Sequence, residues 1–232
     1  ASDVYKRQKG DKTLEYQVLL FDLDGTLTAS GEGITKCVQY ALEKMNKREL
    51  AQDLKKLEVF VGPPLLEQFM AYAGLSEAEA EEAVKFYRER YLPVGIFENK
   101  PYEGIEEVLK KLKEKGYILA VASSKPDSMV KTVLNHFSLM PYFQVVKGSD
   151  ITKPKMTKAE VIEEVLEELG FSEKRESAVM IGDRHHDVSG AKTAGISCIG
   201  VTYGYGDFQE LQQAGAVNIV DSTRELGELF GV

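Results

Sequence analysis

The spacing of hydrophobic residues changes repeatedly along the 232-residue chain, and these changes predict its secondary structure. Short apolar runs flanked by polar residues are typical of strands buried in a parallel sheet. Apolar residues three and four positions apart are typical of helices that bury one face. We predict strands at 18–21, 118–122, 143–147, 178–181, 197–201 and 218–220, and helices at 104–115, 127–137, 159–169 and 188–194. Strands that alternate with helices form a doubly wound parallel sheet, so the predicted class is α/β and Rossmann-like.

Residues 29–97 show only helical spacing and therefore interrupt this alternation. An apolar stripe runs from Ile34 to Met45, and further helices are predicted at 51–57, 64–72 and 77–91. We therefore predict a core formed by 14–28 and 98–232, with 29–97 inserted as an all-helical cap domain. Residues 1–13 are polar and aperiodic, and we interpret them as a disordered or non-native N-terminal extension.

Polar side chains stand where three of the predicted strands end. Asp22 and Asp24 follow the first strand, Ser123 and Ser124 end the second, and Asp183 follows the strand at 178–181. The carboxyl ends of parallel strands meet at one edge of a sheet, which is where ligands bind in open α/β folds. Two carboxylates this close repel each other unless a cation lies between them, so a divalent metal is the candidate partner. The alternative is a plain Asx turn at Asp24-Gly25.

Composition and charge narrow the class of function. The chain is 43% hydrophobic and carries a formal net charge of −8, so it has no basic field for a nucleic-acid polymer or an anionic membrane. No apolar run reaches membrane-spanning length and the N-terminus lacks an apolar signal core, so we expect a cytoplasmic enzyme. Cys37 and Cys198 lie far apart, which favours two small buried hydrophobes over a disulfide or a metal site.

The stretch Asp22-Leu23-Asp24-Gly25-Thr26 resembles the first signature of the haloacid dehalogenase superfamily, most of whose members are magnesium-dependent phosphatases. The strand that ends in Ser123 resembles the second signature. Asp183 with Asp187, four positions later, resembles the fourth. A helical cap between the first two strands also fits this superfamily, and the resemblance covers nearly the whole chain from Leu14.

The third signature is a single lysine, and three lysines compete for it. Thr157-Lys158-Ala159-Glu160-Val161-Ile162 resembles the Lys-x-x-Val-Ile form of the phosphoglycolate phosphatase and 5′-nucleotidase-like branch, so we assign Lys158. Lys153-Pro154 resembles the Lys-Pro form of other branches, and Lys155 lies between the two. A lone lysine is usually a solvated surface charge, and we expect two of these three to be so.

The resemblance implies a role for each site residue. Asp22 is expected to attack phosphorus, and Asp24 to protonate the leaving oxygen and then activate water. Lys158 is expected to hold phosphoryl oxygens. Three residues are assigned to substrate binding, with Thr26 also shaping the loop through a bond from its side chain to the backbone: Thr26, Ser123 and Ser124. Four are assigned to Mg²⁺: Asp22, Asp24 through its carbonyl, Asp183, and Asp187 as hydrogen-bonding support.

Several alternatives stay open at this point. A phosphomutase uses the same aspartates but excludes water. His185 and His186 suggest zinc, but neighbours on a loop point apart and a third soft ligand is missing. Segment 61–65 resembles the specificity loop of the cap, or is a plain helix start. The expected partner is a small phosphorylated metabolite, such as 2-phosphoglycolate or a nucleoside 5′-monophosphate, and the oligomeric state is not predicted.

Overall fold

A six-stranded parallel sheet forms the centre of the computed structural model, which describes residues 16–150, 152–153 and 156–232. The spatial order of the strands is β3-β2-β1-β4-β5-β6. Their bounds are Val18–Phe21 (β1), Ile118–Pro126 (β2), Val145–Ser149 (β3), Ala178–Gly182 (β4), Ser197–Val201 (β5) and Asn218–Val220 (β6). The predicted class, a doubly wound parallel α/β sheet, is confirmed.

The described residues form nine α-helices around this sheet. Three lie between β1 and the remaining core: Gly31–Lys44 (α1), Leu65–Ala73 (α2) and Glu77–Tyr91 (α3). The others are Ile105–Glu114 (α4), Asp127–His136 (α5), Lys158–Leu169 (α6), His185–Thr193 (α7), Phe208–Ala214 (α8) and Thr223–Leu229 (α9). Between residues 29 and 97 the structure contains only helices, turns and short 3₁₀ segments, in agreement with an inserted helical segment. No helix among the described residues is long and apolar enough to cross a bilayer.

The central strand β1 is buried on both faces. Leu19 and Phe21 contribute to the apolar core on one side, whereas Val18 and Leu20 contribute to the core on the other. This alternation follows from the two-residue period of a strand with helices on both faces. Burial of both faces explains why the strand appears in the sequence as a continuous apolar run.

The register of β1 aligns the strand ends that carry polar residues. Phe21 is level with Val121 in β2 and with Ile181 in β4. The backbone N–H of Asp22 donates to the carbonyl of Ile181 at 2.9 Å, so the sheet pairing continues one residue beyond β1. The residues that follow these three positions therefore emerge together at one edge of the sheet.

Several details differ from the predicted elements: β2 continues to Pro126 and α7 begins at His185, beyond the predicted 118–122 and 188–194. A helix at 51–57 is wrong: the chain forms 3₁₀ turns at Arg48–Leu50 and Lys56–Phe60, and the Asp53 carboxylate accepts a bond from the backbone N–H of Lys55, which competes with helix formation. The third strand lies two residues later than predicted, at Val145–Ser149, after a 3₁₀ turn at Met140–Tyr142. Helices α8 and α9 were not predicted, although the side chains of Asp207 and Ser222 cap them.

Candidate active site

Asp22 forms a buried ion pair with Lys158, which lies 136 residues later in the chain. The Nζ of Lys158, the first residue of α6, is 2.7 Å from Asp22 Oδ1 and 2.8 Å from Asp187 Oδ1. It also donates to the carbonyl of Ala122 at 3.1 Å. Lys158 can reach the strand ends because the capping box of Thr157 and Glu160 fixes the start of α6 beside them. Lys158, the lysine assigned to the third signature, therefore lies beside Asp22.

The competing lysine occupies a different environment. Lys153 pairs with Glu164 at 3.1 Å, and 58% of its side-chain surface is exposed. Lys155 lies outside the described residues. Of the competing lysines, the structure describes Lys153 and Lys158, and of these two Lys158 alone contacts Asp22.

Asp24 is paired with a cation that the sequence did not identify. The Nζ of Lys125 lies 2.5 Å from Asp24 Oδ2, and both side chains are at least nine-tenths buried. Lys125 occupies the end of β2, two residues after Ser123, and its backbone N–H donates to Ser123 Oγ at 3.3 Å. The sequence did contain a signal for Lys125: it lies two residues after Ser123, and residues with this spacing in a strand point to the same face.

Asp183 supplies a buried oxygen without a hydrogen-bond partner. Its Oδ2 accepts from the backbone N–H of Tyr205 at 2.7 Å, whereas Oδ1 has no partner among the described residues. Gly25 makes this close approach possible: it has φ +85°, and a Cβ built on it would lie 2.1 Å from Asp183 Oδ2.

The carboxylates of Asp22, Asp183 and Asp187 form a cluster that suits a divalent cation. One oxygen from each lies within 4.8 Å of the others, and all three residues are buried. Lys158 alone cannot balance three carboxylates. The unpartnered oxygen of Asp183 and the hard oxygen donors fit a cation such as Mg²⁺. Asp187 is already engaged by Lys158 and by the backbone N–H of Arg184, which agrees with a supporting role.

The excess negative charge also shows in the pKa values. Burial raises the pKa of Asp22 to about 6, which outweighs the lowering effect of Lys158. Burial, followed by repulsion from Asp187 and Asp22, raises the pKa of Asp183 well above its usual range. Burial alone would lower the pKa of Lys158, but attraction to Asp187 and Asp22 raises it above the usual value. The lysine is therefore a permanent cation at this site.

The loop after β1 is closed by its own backbone. The N–H groups of Leu27 and Thr28 donate to the carbonyl of Leu23 at 2.9 and 3.0 Å. The prediction that the Thr26 side chain makes such a bond is wrong, since its Oγ1 is buried without a partner among the described residues. The Thr26 carbonyl instead accepts from the Tyr203 hydroxyl at 3.0 Å.

The two serines predicted for substrate binding differ in position. Ser123 is 2% exposed and lies in β2 one residue after Ala122, whose carbonyl accepts from Lys158, at the edge of the sheet where Asp22 follows β1. Ser124 is half-buried, one residue farther along the strand. The pairing of β2 with β3 is irregular between Ala122 and Pro126, the stretch that contains both serines, and the assignment of Ser124 to substrate binding stays a prediction.

The two histidines lie at the start of α7 outside the carboxylate cluster. His185 donates its backbone N–H to Glu210, and its ring Nδ1 lies 2.7 Å from the same carboxylate. The rings of His185 and His186 lie 3.8 Å apart. The interpretation that the two lie on a loop and point apart is wrong, since both belong to α7 and their rings are close together. Neither belongs to a group of three potential metal ligands among the described residues.

The helical segment covers the site through three contacts with the core. Lys125 Nζ lies 5.1 Å from the ring centroid of Tyr91, at the end of α3. The Gly31 N–H donates to the Tyr205 hydroxyl at 2.5 Å. Arg184 Nη1 donates to the carbonyl of Val61, in the segment predicted to be a specificity loop. These contacts join the helical segment to residues that surround the site carboxylates.

This fold and this arrangement of carboxylates define a known family of hydrolases. A family model described as haloacid dehalogenase-like hydrolase matches residues 19–201, and the chain belongs to that family. The predicted resemblance is confirmed. A protein named 5′-nucleotidase from Pseudomonas aeruginosa is 44% identical over 202 residues, covering 87% of this chain and 90% of that protein. The prediction of a phosphoric monoester hydrolase is confirmed at the level of the family and its phosphatase-named relatives.

Other proteins similar to this chain have different names. The protein named tyrosine-protein kinase PtkA from Mycobacterium tuberculosis is 37% identical over 218 residues, covering 93% of this chain and 73% of that protein. A phosphoglycolate phosphatase from Colwellia psychrerythraea is 29% identical over 221 residues, covering 93% and 97%. The crystal structure of a predicted phosphatase from Clostridium acetobutylicum superposes with a TM-score of 0.87 at 46% identity, covering 92% of this chain and 97% of that one.

Proposed function

We propose that this protein is a Mg²⁺-dependent phosphatase that hydrolyses small phosphomonoesters through an aspartyl-phosphate on Asp22. The observation that carries the proposal is the contact of Lys158 Nζ with Asp22 and Asp187 at 2.7 and 2.8 Å. A permanent cation beside a buried carboxylate is suited to a nucleophile that must receive a dianionic phosphoryl group.

In the first half-reaction, Asp22 attacks phosphorus while Asp24 gives a proton to the departing oxygen. Lys158 stabilises the charge on the transferring phosphoryl group, and Asp187 holds Lys158 in place. Ser123 is buried at the same edge of the sheet and is proposed to donate its hydroxyl to a phosphoryl oxygen. Thr26 is proposed as a second hydroxyl donor, because its buried Oγ1 has no other partner among the described residues.

In the second half-reaction, Asp24 takes a proton from water as the water oxygen attacks phosphorus and the bond to Asp22 breaks. The Asp24 Oδ1 atom is buried and without a partner in the described part of the chain, so it is available for both proton transfers. Two separate carboxylates are required, because the residue that carries the phosphoryl group cannot also serve as the acid and base.

Mg²⁺ would be held by Asp22, Asp183 and the carbonyl of Asp24, with Asp187 in the surrounding shell. When bound, it supplies positive charge that reduces the repulsion between Asp22 and the incoming phosphate dianion.

The proposed substrates are small phosphorylated metabolites of the nucleoside 5′-monophosphate or 2-phosphoglycolate type. Support comes from the names of two relatives that cover nearly the same length as this chain. The burial of Asp22 and Asp24 under the helical segment also favours a small substrate that is enclosed before reaction, over a phosphorylated group on a large protein surface. We propose residues 29–97 as the cap domain and 61–65 as a loop that contacts the leaving group.

A phosphate-release assay over a panel of small phosphomonoesters with Mg²⁺ tests the proposal. We expect release from at least one substrate class, loss of activity with a chelator, and loss in Asp22→Asn but not in the exposed control Asp53→Asn. Reaction in heavy-oxygen water should place label in the released phosphate. Turnover that transfers phosphate to a sugar phosphate or a protein tyrosine, without label from water, would contradict hydrolysis and favour a mutase or a kinase.

A further inference from the structure

Lys125 is a buried cation for which the proposed mechanism has no use. Only 7% of its side-chain surface is exposed, whereas lysine ammonium groups normally stay in water. Its Nζ lies 2.5 Å from Asp24 Oδ2 and 5.1 Å from the centre of the Tyr91 ring. Burying a charge is costly unless it is paired, so these two partners explain why the lysine is tolerated here.

The pairing leaves the two oxygens of Asp24 in different states. Oδ2 is occupied by Lys125, whereas Oδ1 is buried and without a partner among the described residues. A carboxyl group that is held by one oxygen keeps the other in a fixed position. The oxygen that remains is the one that can exchange a proton with the leaving group and with water.

We propose that Lys125 is a positioning residue that fixes the Asp24 carboxyl group and directs its Oδ1 atom to proton transfer. The inference rests on the proposed function, because it assigns Lys125 to the acid and base steps of that reaction. As the proton moves from Oδ1 to the leaving oxygen and the phosphorus–oxygen bond breaks, Asp24 becomes a carboxylate. The Lys125 ammonium stabilises that new charge without giving up its own proton.

Tyr91 connects this positioning to the helical segment that covers the site. Tyr91 lies at the C-terminal end of α3 and stacks on Tyr87 with ring centroids 5.1 Å apart. Its ring face lies beside the Lys125 ammonium, so the cation has its second partner only when α3 is packed against the strand ends. The Asp24 carboxyl group is therefore held in its working position when the site is covered.

The test uses a property that general acid catalysis alone produces. Para-substituted phenyl phosphates have leaving groups of similar shape and charge but different basicity, and only basic leaving groups need a proton to depart. In Lys125→Met we expect kcat/KM to fall by about tenfold or more for phenyl phosphate, a part of the 10²–10⁴ that acid catalysis typically supplies. For 4-nitrophenyl phosphate we expect a change within about twofold, since that leaving group departs without help.

Two further variants control the experiment. Lys125→Gln keeps a hydrogen-bond donor without the charge, so it should show the same selective loss at smaller size, and it stands in if Lys125→Met does not fold. Lys131→Met removes a lysine of α5 whose side chain is 49% exposed, and it should match the wild type. Circular dichroism and thermal melting establish that each variant is folded.

The outcomes separate this inference from the proposed function. If the wild type with Mg²⁺ hydrolyses none of the series, the proposed function fails and the inference falls with it. If the wild type is active but both Lys125 variants lose kcat/KM equally for every leaving group, Lys125 has a structural or phosphate-binding role and the inference alone is overturned. A rise in KM with an unchanged dependence on leaving-group basicity overturns it as well.

Discussion

Arg184 Nη1 donates to the backbone carbonyl of Val61 at 3.1 Å, although 123 residues separate them in the chain. Val61 belongs to the helical segment, whereas Arg184 directly follows the candidate metal ligand Asp183. The same guanidinium donates through Nε to Glu210 at 2.9 Å, and the Gly62 backbone packs near its side chain. One arginine therefore joins the covering loop, the metal site and α8.

We expect Arg184→Met to lower kcat/KM several-fold by reducing the population of the covered state. Hydrogen exchange at 61–65 should rise, because the loop loses its contact with the core. Arg224→Met, which removes an arginine whose side chain is 82% exposed, serves as the control. Unchanged exchange at 61–65 together with unchanged kcat/KM would show that the contact does not hold the cover in place.

Removal of Lys158 should cost kcat heavily. Lys158→Met leaves Asp22 and Asp187 without their shared cation, so we expect a loss of about 10²-fold or more in steady-state assays with Mg²⁺. Lys153→Met should retain wild-type activity, because Lys153 is exposed and pairs with Glu164 away from Asp22. Equal losses in the two variants, with both folded by circular dichroism, would move the role away from Lys158.

The strand ends could be predicted because each depends on local sequence. Apolar runs that end in Asp22, Ser123 and Asp183 define buried strands, and parallel pairing brings such ends to one edge. The assignment of Lys158 over Lys153 came from a resemblance, and the contact with Asp22 follows from the start of α6.

The missed features depend on contacts between distant segments. A lysine after a strand is usually solvated, and the burial of Lys125 requires Asp24 and Tyr91, which lie 101 and 34 residues away in the chain. The contact of Arg184 with Val61 likewise joins separate elements. Thr26 was assigned a backbone bond because threonine commonly forms one, but the backbone of its own loop had already satisfied those groups.

We expect Gly25→Ala to impair metal binding by more than its loss of stability explains. An added Cβ would lie 2.1 Å from Asp183 Oδ2, and the φ of +85° adds backbone strain. Gly74→Ala is the matched control: Gly74 also has positive φ, at +61°, but a Cβ there meets nothing within 4 Å. Gly74→Ala should lose about 1–2 kcal/mol of stability through its backbone conformation, and Gly25→Ala should lose more because of the added contact with Asp183, both measured by urea unfolding. Only Gly25→Ala should lose Mg²⁺-dependent activity, and equal activity in the two variants would argue against the close approach to Asp183.

Metal stabilisation should depend on pH in a defined direction. Burial raises the pKa of Asp22 to about 6, above its ordinary 3.8, so between these values the folded metal-free protein holds more protons than the unfolded chain. The contribution of Asp22 to the stability of the metal-free protein therefore falls as pH rises from about 4 to about 6. Mg²⁺ needs ionised carboxylates, so the rise in Tm on adding Mg²⁺ should be larger at about pH 7.5 than at about pH 5. An equal rise at both pH values would contradict this account.

The central claim is that Asp22 carries the phosphoryl group, and acid-quench mass spectrometry tests it most directly. The enzyme is mixed with Mg²⁺ and a substrate found by the release assay, quenched during turnover, and digested to peptides. We expect a phosphoryl group on Asp22 in the peptide spanning 18–28 and no such group in Asp22→Asn. With 4-nitrophenyl phosphate, whose leaving group departs without a proton, we expect greater accumulation in Asp24→Asn, which lacks the base for hydrolysis. Phosphate release at the wild-type rate by Asp22→Asn, or a phosphoryl group on a different residue, would contradict the account.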